Sequence, residues 1–178
     1  MIGEAGLFLL QALTGFLSGA LLLRFYMQAW RVSFNNPLGV FVVELSNWLV
    51  RPLRKILPGF FGLDLASLLP ACLLQLIYVL AVFYWRGHGV AWSSESLLLL
   101  LWWALLATLR LSIYLLIGAL LVQAVLSWVN PYSPLGQPLV QLTRPFLRPL
   151  QRVIPPIGSV DLSPLVAIVL AQLLLMFL

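Results

Sequence analysis

The chain has 178 residues, 62% of them hydrophobic and 8% charged, with a formal net charge of +5. Soluble domains carry about a quarter charged residues, so this composition excludes an ordinary water-soluble globule and makes a bilayer the solvent for most of the surface. The ten Lys and Arg outnumber the five Asp and Glu; seven of the cations fall in two membrane-adjacent segments with no aromatic stacking platform, which fits anionic lipid headgroups and not nucleic acid.

The first apolar run extends from about Ala5 to Trp30. It lacks the basic start of a signal peptide, and it exceeds the usual h-region of about 7–15 residues, so it reads as a retained first span. Gly15 and Gly19 form a small-xxx-small pair that would admit a neighbouring helix, within the chain or in a homo-oligomer. Arg24 sits near one end of the run, where a long side chain can reach the interface.

Segment 34–60 follows. Leu38, Val42, Leu45, Leu49, Pro52 and Ile56 recur at steps of three and four, while Glu44, Asn47, Arg51, Arg54 and Lys55 take the other face. That pattern predicts a basic helix lying flat on a boundary. Asp64 then immediately precedes the second span, residues 65–85, where a carboxylate can cap free amides and complement the helix dipole. A salt bridge from Asp64 to Arg51 would pin the amphipathic segment to this helix.

Gln75 lies 11 residues beyond Asp64, about 16 Å along a helix and near the middle of the hydrocarbon. Cys72 stands in the same run as the single cysteine of the chain, so no intrachain disulfide forms. A short external loop, 86–96, holds the single histidine, His88.

The third apolar run, 97–129, is too long for one perpendicular crossing and contains Arg110. It is either one long tilted helix or a span preceded by a separate interfacial segment. Segment 131–158 repeats the amphipathic pattern, with Leu135, Leu139, Leu142, Phe146, Pro149 and Val153 opposite Gln141, Arg144, Arg148, Gln151 and Arg152. Pro145 and Pro149 should break or kink it. Asp161 precedes the last apolar run, 162–178, which carries Gln172.

The two halves match without a gap at a separation of 97 positions, pairing Pro37 with Pro134, Gly39 with Gly136, Arg51 with Arg148, Pro58 with Pro155, Asp64 with Asp161 and Gln75 with Gln172. The expected fold is therefore an all-α integral membrane protein of about four transmembrane helices in two parallel repeats, 1–85 and 97–178, each helix, basic amphipathic segment and helix. The positive-inside rule places both long loops in the cytoplasm and both termini on the opposite side of a bacterial inner membrane. Across the resulting pseudo-twofold, Gln75 and Gln172 would hydrogen-bond to each other or line a polar pathway.

The run from Arg144 to Val166, RPFLRPLQRVIPPIGSVDLSPLV, and its weaker copy from Arg51 to Leu69 resemble the YggT family of small membrane proteins. The second copy carries Asp161, Leu162, Ser163 and Pro164 where the first reads Asp64, Leu65, Ala66 and Ser67. The resemblance implies a non-enzymatic factor of the kind implicated in assembly of membrane complexes, including cytochrome maturation in plastid relatives, in division or nucleoid organisation, and in osmotic stress tolerance.

No nucleophile elbow, His-Glu-x-x-His motif, cysteine pair or phosphate-binding glycine loop occurs, so no catalytic, metal or cofactor residues are expected. The leading expectation is an assembly or scaffold factor that holds anionic lipid or a membrane-protein partner through Arg51, Arg54, Lys55, Arg144, Arg148 and Arg152. The rival is a transport or channel role in osmotic stress, with Gln75, Gln172 and Arg110 along a pathway.

Overall fold

The computed structural model describes residues 2–57, 63–85, 94–130, 132–153 and 162–178. Among these residues the chain forms six helices: α1 (Ile2–Ala29), α2 (Pro37–Ile56), α3 (Leu65–Trp85), α4 (Ser94–Val129), α5 (Gly136–Val153) and α6 (Ser163–Phe177). Three of them, α1, α3 and α4, are long and apolar enough to cross a membrane. The expected fourth span is a shorter apolar helix: α6 has 15 residues, about 22 Å, against a hydrocarbon layer of about 30 Å.

The third apolar run is a single uninterrupted helix of 36 residues, about 54 Å long. It includes residues 94–96, which the sequence pattern assigned to the external loop. A run of leucine, alanine and tryptophan without proline or glycine through its first half gives the backbone no reason to stop.

Local chemistry explains the ends. α1 closes in a Schellman turn, in which the Arg31 amide donates to the Gln28 carbonyl and the Val32 amide to the Met27 carbonyl. Arg31 takes the left-handed conformation, with φ of 55°, a place usually held by glycine. Buried Val32 packs on buried Met27, the apolar contact that accompanies such a turn. α2 starts at Asn36, whose Oδ1 accepts from the Gly39 amide at 2.9 Å, with Pro37 in the first turn.

The prolines do not interrupt α5. Both Pro145 and Pro149 lie inside the helix, as Pro52 lies inside α2. Each removes one amide donor, but the intervening turns keep theirs and the buried stripe of α5 holds the segment against its neighbours.

That stripe differs from the expected apolar face. α2 buries Gly39, Val42, Ser46 and Val50, and α5 buries Pro138, Leu139, Leu142, Thr143 and Leu147. Pro52 and Ile56 are exposed, and so is Phe146. Each buried face thus includes a hydroxyl residue, Ser46 or Thr143, that a strictly apolar count passes over.

α1 packs most extensively on α3, and α2 lies across both. Leu21 and Leu22 of α1, Val50 of α2 and Ala66 and Ala71 of α3 form one core, against which Leu111 and Leu115 of α4 pack. Ser18 donates to the Ala71 carbonyl at 3.3 Å, a polar tie between α1 and α3. The second half mirrors this with Leu120 of α4, Leu147 of α5 and Ala167 of α6. Val50 and Leu147 are 97 positions apart, so matching residues of the two halves occupy matching cores. A third cluster joins the halves, Leu142 of α5 meeting Met27 and Val32.

Candidate functional site: a buried ion network and two basic helices

The first half carries a charged centre where α1, α2 and the start of α3 converge. Arg24 is only 5% exposed and Asp64 3%. The Arg24 Nη1 group donates to Ser46 Oγ at 2.7 Å and to Asn47 Oδ1 at 3.1 Å, and its Nε lies 4.0 Å from Asp64 Oδ2. Arg54 meets Asp64 with both ends of its guanidinium, Nη2 donating to Oδ2 at 2.6 Å and Nε to Oδ1 at 3.3 Å. The same Nη2 donates to Gln28 Oε1 at 2.8 Å, and Ser67 Oγ donates to Asp64 Oδ2 at 2.7 Å. One carboxylate thereby joins three helices, through charge-assisted hydrogen bonds to Arg54 of α2 and Ser67 of α3 and an ion pair with Arg24 of α1.

This arrangement corrects three sequence expectations. The partner of Asp64 is Arg54, with Arg24 beside it, and not Arg51, which is exposed. The carboxylate does not cap backbone amides; the Asp64 carbonyl accepts from the amides of Ser67 and Leu68, leaving the carboxylate for the cations. Arg24 does not reach for the interface, because Ser46, Asn47 and Asp64 hold it inside.

Burial pushes the Asp64 carboxyl up, yet the hydrogen bonds from Arg54 and Ser67 and the charges of Arg54 and Arg24 outweigh it and hold the group below its ordinary value. Asp64 is therefore ionised at neutral pH.

Among the described residues the second half differs at the matching level. Asp161, Pro58 and Pro155 lie outside the described residues, as does His88. Thr143, the counterpart of Ser46, donates to Gln123 Oε1 at 2.6 Å. No arginine takes the place of Arg24, since the one arginine of α4 is Arg110, whose Nη2 donates to the Leu178 carbonyl and fixes the end of α6 against mid-α4.

The remaining candidate cations face outward. Arg51 and Lys55 on α2, and Arg144, Arg148 and Arg152 on α5, are exposed, and among the described residues Asp64 is the carboxylate of the recorded ion pairs, both with arginines of the first half. Arg54 divides its role, with its side chain 45% exposed while it pairs with Asp64.

The glutamines do not meet. Gln75 is 6% exposed, Gln172 is exposed, and α3 and α6 are not among the closely packed helix pairs of the described residues. The entry segments of the two halves do meet: Asn36 and Pro37 face Pro134 and Gln137 across a polar cleft of about 300 Å³.

A larger groove of about 500 Å³ opens between the end of α1, α4, α5 and α6. Tyr26 and Trp30 stack with centroids 5.0 Å apart, and Trp30 meets Phe146 edge-on at 5.4 Å, forming one wall. No local pattern along the chain signals this groove, because its wall is assembled from four helices.

Among the described residues no cluster of three or more His, Cys, Asp or Glu could hold a metal ion. The CCB3/YggT family model matches this chain twice, over residues 4–84 and 97–178. The uncharacterized protein PA0392 of Pseudomonas aeruginosa is 37% identical, over 98% of this chain and 89% of that protein. The uncharacterized protein YggT of Escherichia coli K12 is 36% identical, over 92% of this chain and 83% of its own length. An uncharacterized protein of Haemophilus influenzae is 31% identical over 82% and 76%. No solved structure matches.

Proposed function

The chain belongs to the CCB3/YggT family, and from that premise we propose that it is a non-enzymatic scaffold or assembly factor of the bacterial inner membrane, binding a membrane-protein partner through the basic sides of α2 and α5. In this reading α6 makes a fourth crossing, and α2 and α5 lie at the cytoplasmic face, where lysine and arginine accumulate.

The observation that carries the proposal is the pairing of rigidity with free charge. Each amphipathic helix is fixed by a buried stripe, and each presents an exposed arginine at the matching position, Arg51 or Arg148, with no carboxylate partner among the described residues. Charges held in this way suit recognition, because neither helix has to be ordered when the partner arrives. A transport role has less to stand on: Gln75, Gln172 and Arg110 share no common space, and Arg110 is engaged by Leu178.

Crosslinking in a mild detergent followed by mass spectrometry tests the proposal. Wild type should yield one defined membrane protein in stoichiometric amount, and the Arg51→Ala, Arg148→Ala double variant should lose about tenfold or more of it at unchanged folding, the two exposed cations being worth about 1 kcal/mol each near a charged surface. Equal recovery from both proteins would overturn the assignment to these arginines. Passage of ions or solutes through proteoliposomes, with no partner recovered, would replace the scaffold reading with transport.

A further inference from the structure

We propose that the groove between α1, α4, α5 and α6 is a binding site for one acyl chain of an anionic phospholipid whose phosphate is held by Arg148 and Arg152. The site goes beyond the scaffold reading and does not depend on it.

The lining fixes the chemistry of the occupant. Leucine, isoleucine, alanine, proline and aromatic side chains make up almost all of the wall; besides the Tyr26 phenol it has two aliphatic hydroxyls, those of Ser112 and Thr143. Both are already engaged, Ser112 with the Thr108 carbonyl at 2.9 Å and Thr143 with Gln123 and the Leu139 carbonyl. A polar solute would lose most of its water and find little beyond the Tyr26 phenol to replace it. An alkyl chain loses nothing.

The groove is also open to the place where lipid would be. Leu170 and Leu174 of α6 and Leu109 of α4 line it and are exposed, on helices whose outer surfaces are apolar. It exists because α6 packs on α4 less extensively than α3 packs on α1; α6 is also shorter than α3.

Charge selects the headgroup. Pro145, Phe146 and Pro149 of α5 face the groove, and Arg148 and Arg152 flank Pro149 along the same helix, with Arg144 one turn earlier. At about 100° per residue, Arg152 lies about 60° round the helix from Pro149, on the edge of the groove-facing side. All three arginines are exposed. An apolar slot bordered by exposed arginines complements a phosphodiester with its chain attached, whereas an apolar helix of a partner protein would leave that charge unanswered.

Native mass spectrometry of the full chain tests the proposal, with mixed micelles of phosphatidylglycerol or of phosphatidylcholine bearing the same chains. Wild type should retain one phosphatidylglycerol at collision energies that strip the remaining lipid. Leu174→Trp, which adds bulk at the exposed rim without entering the core, should abolish that retention, and Ala119→Phe should do the same from the α4 side. Arg148→Gln with Arg152→Gln should lower occupancy by about tenfold or more and erase the preference over phosphatidylcholine. Retention that is equal in wild type and in both groove variants would overturn the proposal. So would a photo-crosslinker at position 170 that captures a protein segment and no lipid.

Discussion

Replacing Asp64 with alanine should destabilise the helix bundle by about 3–5 kcal/mol, the range for removing one member of a buried ion pair. The loss exceeds that of the visible hydrogen bonds, because Arg24, 5% exposed, would keep its charge without a counter-ion while Ser67 and Arg54 lost their acceptor. Adding Arg24→Met removes the stranded cation and should recover much of the loss, a non-additivity expected of groups that share one network. Unfolding in a mild detergent, followed by tryptophan fluorescence, measures both. If the single and double variants unfold at the same midpoint, Arg24 and Asp64 are not coupled.

Acid should act on the same latch. The unfolded chain binds the Asp64 proton near its ordinary value of 3.8, and the folded chain binds it only at lower pH. The unfolded state therefore holds more protons in this range, and stability rises with pH. The contribution is complete above that value and disappears as pH falls below it through the folded pKa. The wild-type midpoint should drop over this window, and that of Asp64→Asn should drop less.

The second large effect belongs to Gly39. A methyl group there would stand 2.5 Å from the Phe34 carbonyl oxygen and 2.6 Å from the Phe34 Cα. Backbone cannot swing aside as the tip of a side chain can, so the turn that leads into α2 has to shift. Gly39→Ala should cost about 1–3 kcal/mol, the range for overpacking, and should loosen the Asn36 cap that ends on the Gly39 amide. Gly136, its counterpart 97 positions later, has open space around its Cβ position. Gly136→Ala should be neutral or slightly stabilising, since glycine inside a helix costs about 0.5–1 kcal/mol relative to alanine. Thermal unfolding of the two single variants distinguishes them, and equal effects would show that the crowding at Phe34 relaxes freely.

The helical architecture was largely legible because apolar length and the 97-residue register are properties of the chain itself. The same register relates Val50 to Leu147, which the structure seats in equivalent cores although neither stood on the expected apolar faces. What was not legible depended on which residues share a level in three dimensions. Arg24 and Asp64 are 40 positions apart, and nothing in local spacing distinguishes an arginine that reaches the interface from one folded inward onto a carboxylate. Arg51 and Arg54 are separated by less than one turn, yet helix rotation gives Asp64 to Arg54. The hydroxyls offered a usable signal: Ser46 and Thr143 hold the same repeat position, in the middle of otherwise apolar stripes. Gln75 and Gln172 also share register, but the loose seating of α6 exposes Gln172, so symmetry of sequence did not become symmetry of surroundings.

The length of α4 has a mechanical consequence. α3 has 21 residues, about 32 Å, the length of an upright crossing of a layer about 30 Å thick, whereas α4 at about 54 Å would have to lean by about 56° to fit the same layer. Bilayer helices lean by about 0–40°, so α4 has more length than a tilted crossing consumes. A strut of this kind changes its angle when the bilayer thins or thickens, while an upright post beside it does not. α4 packs on α3 as well as on α5 and α6, so a strut whose slope followed bilayer thickness would carry that change to both halves.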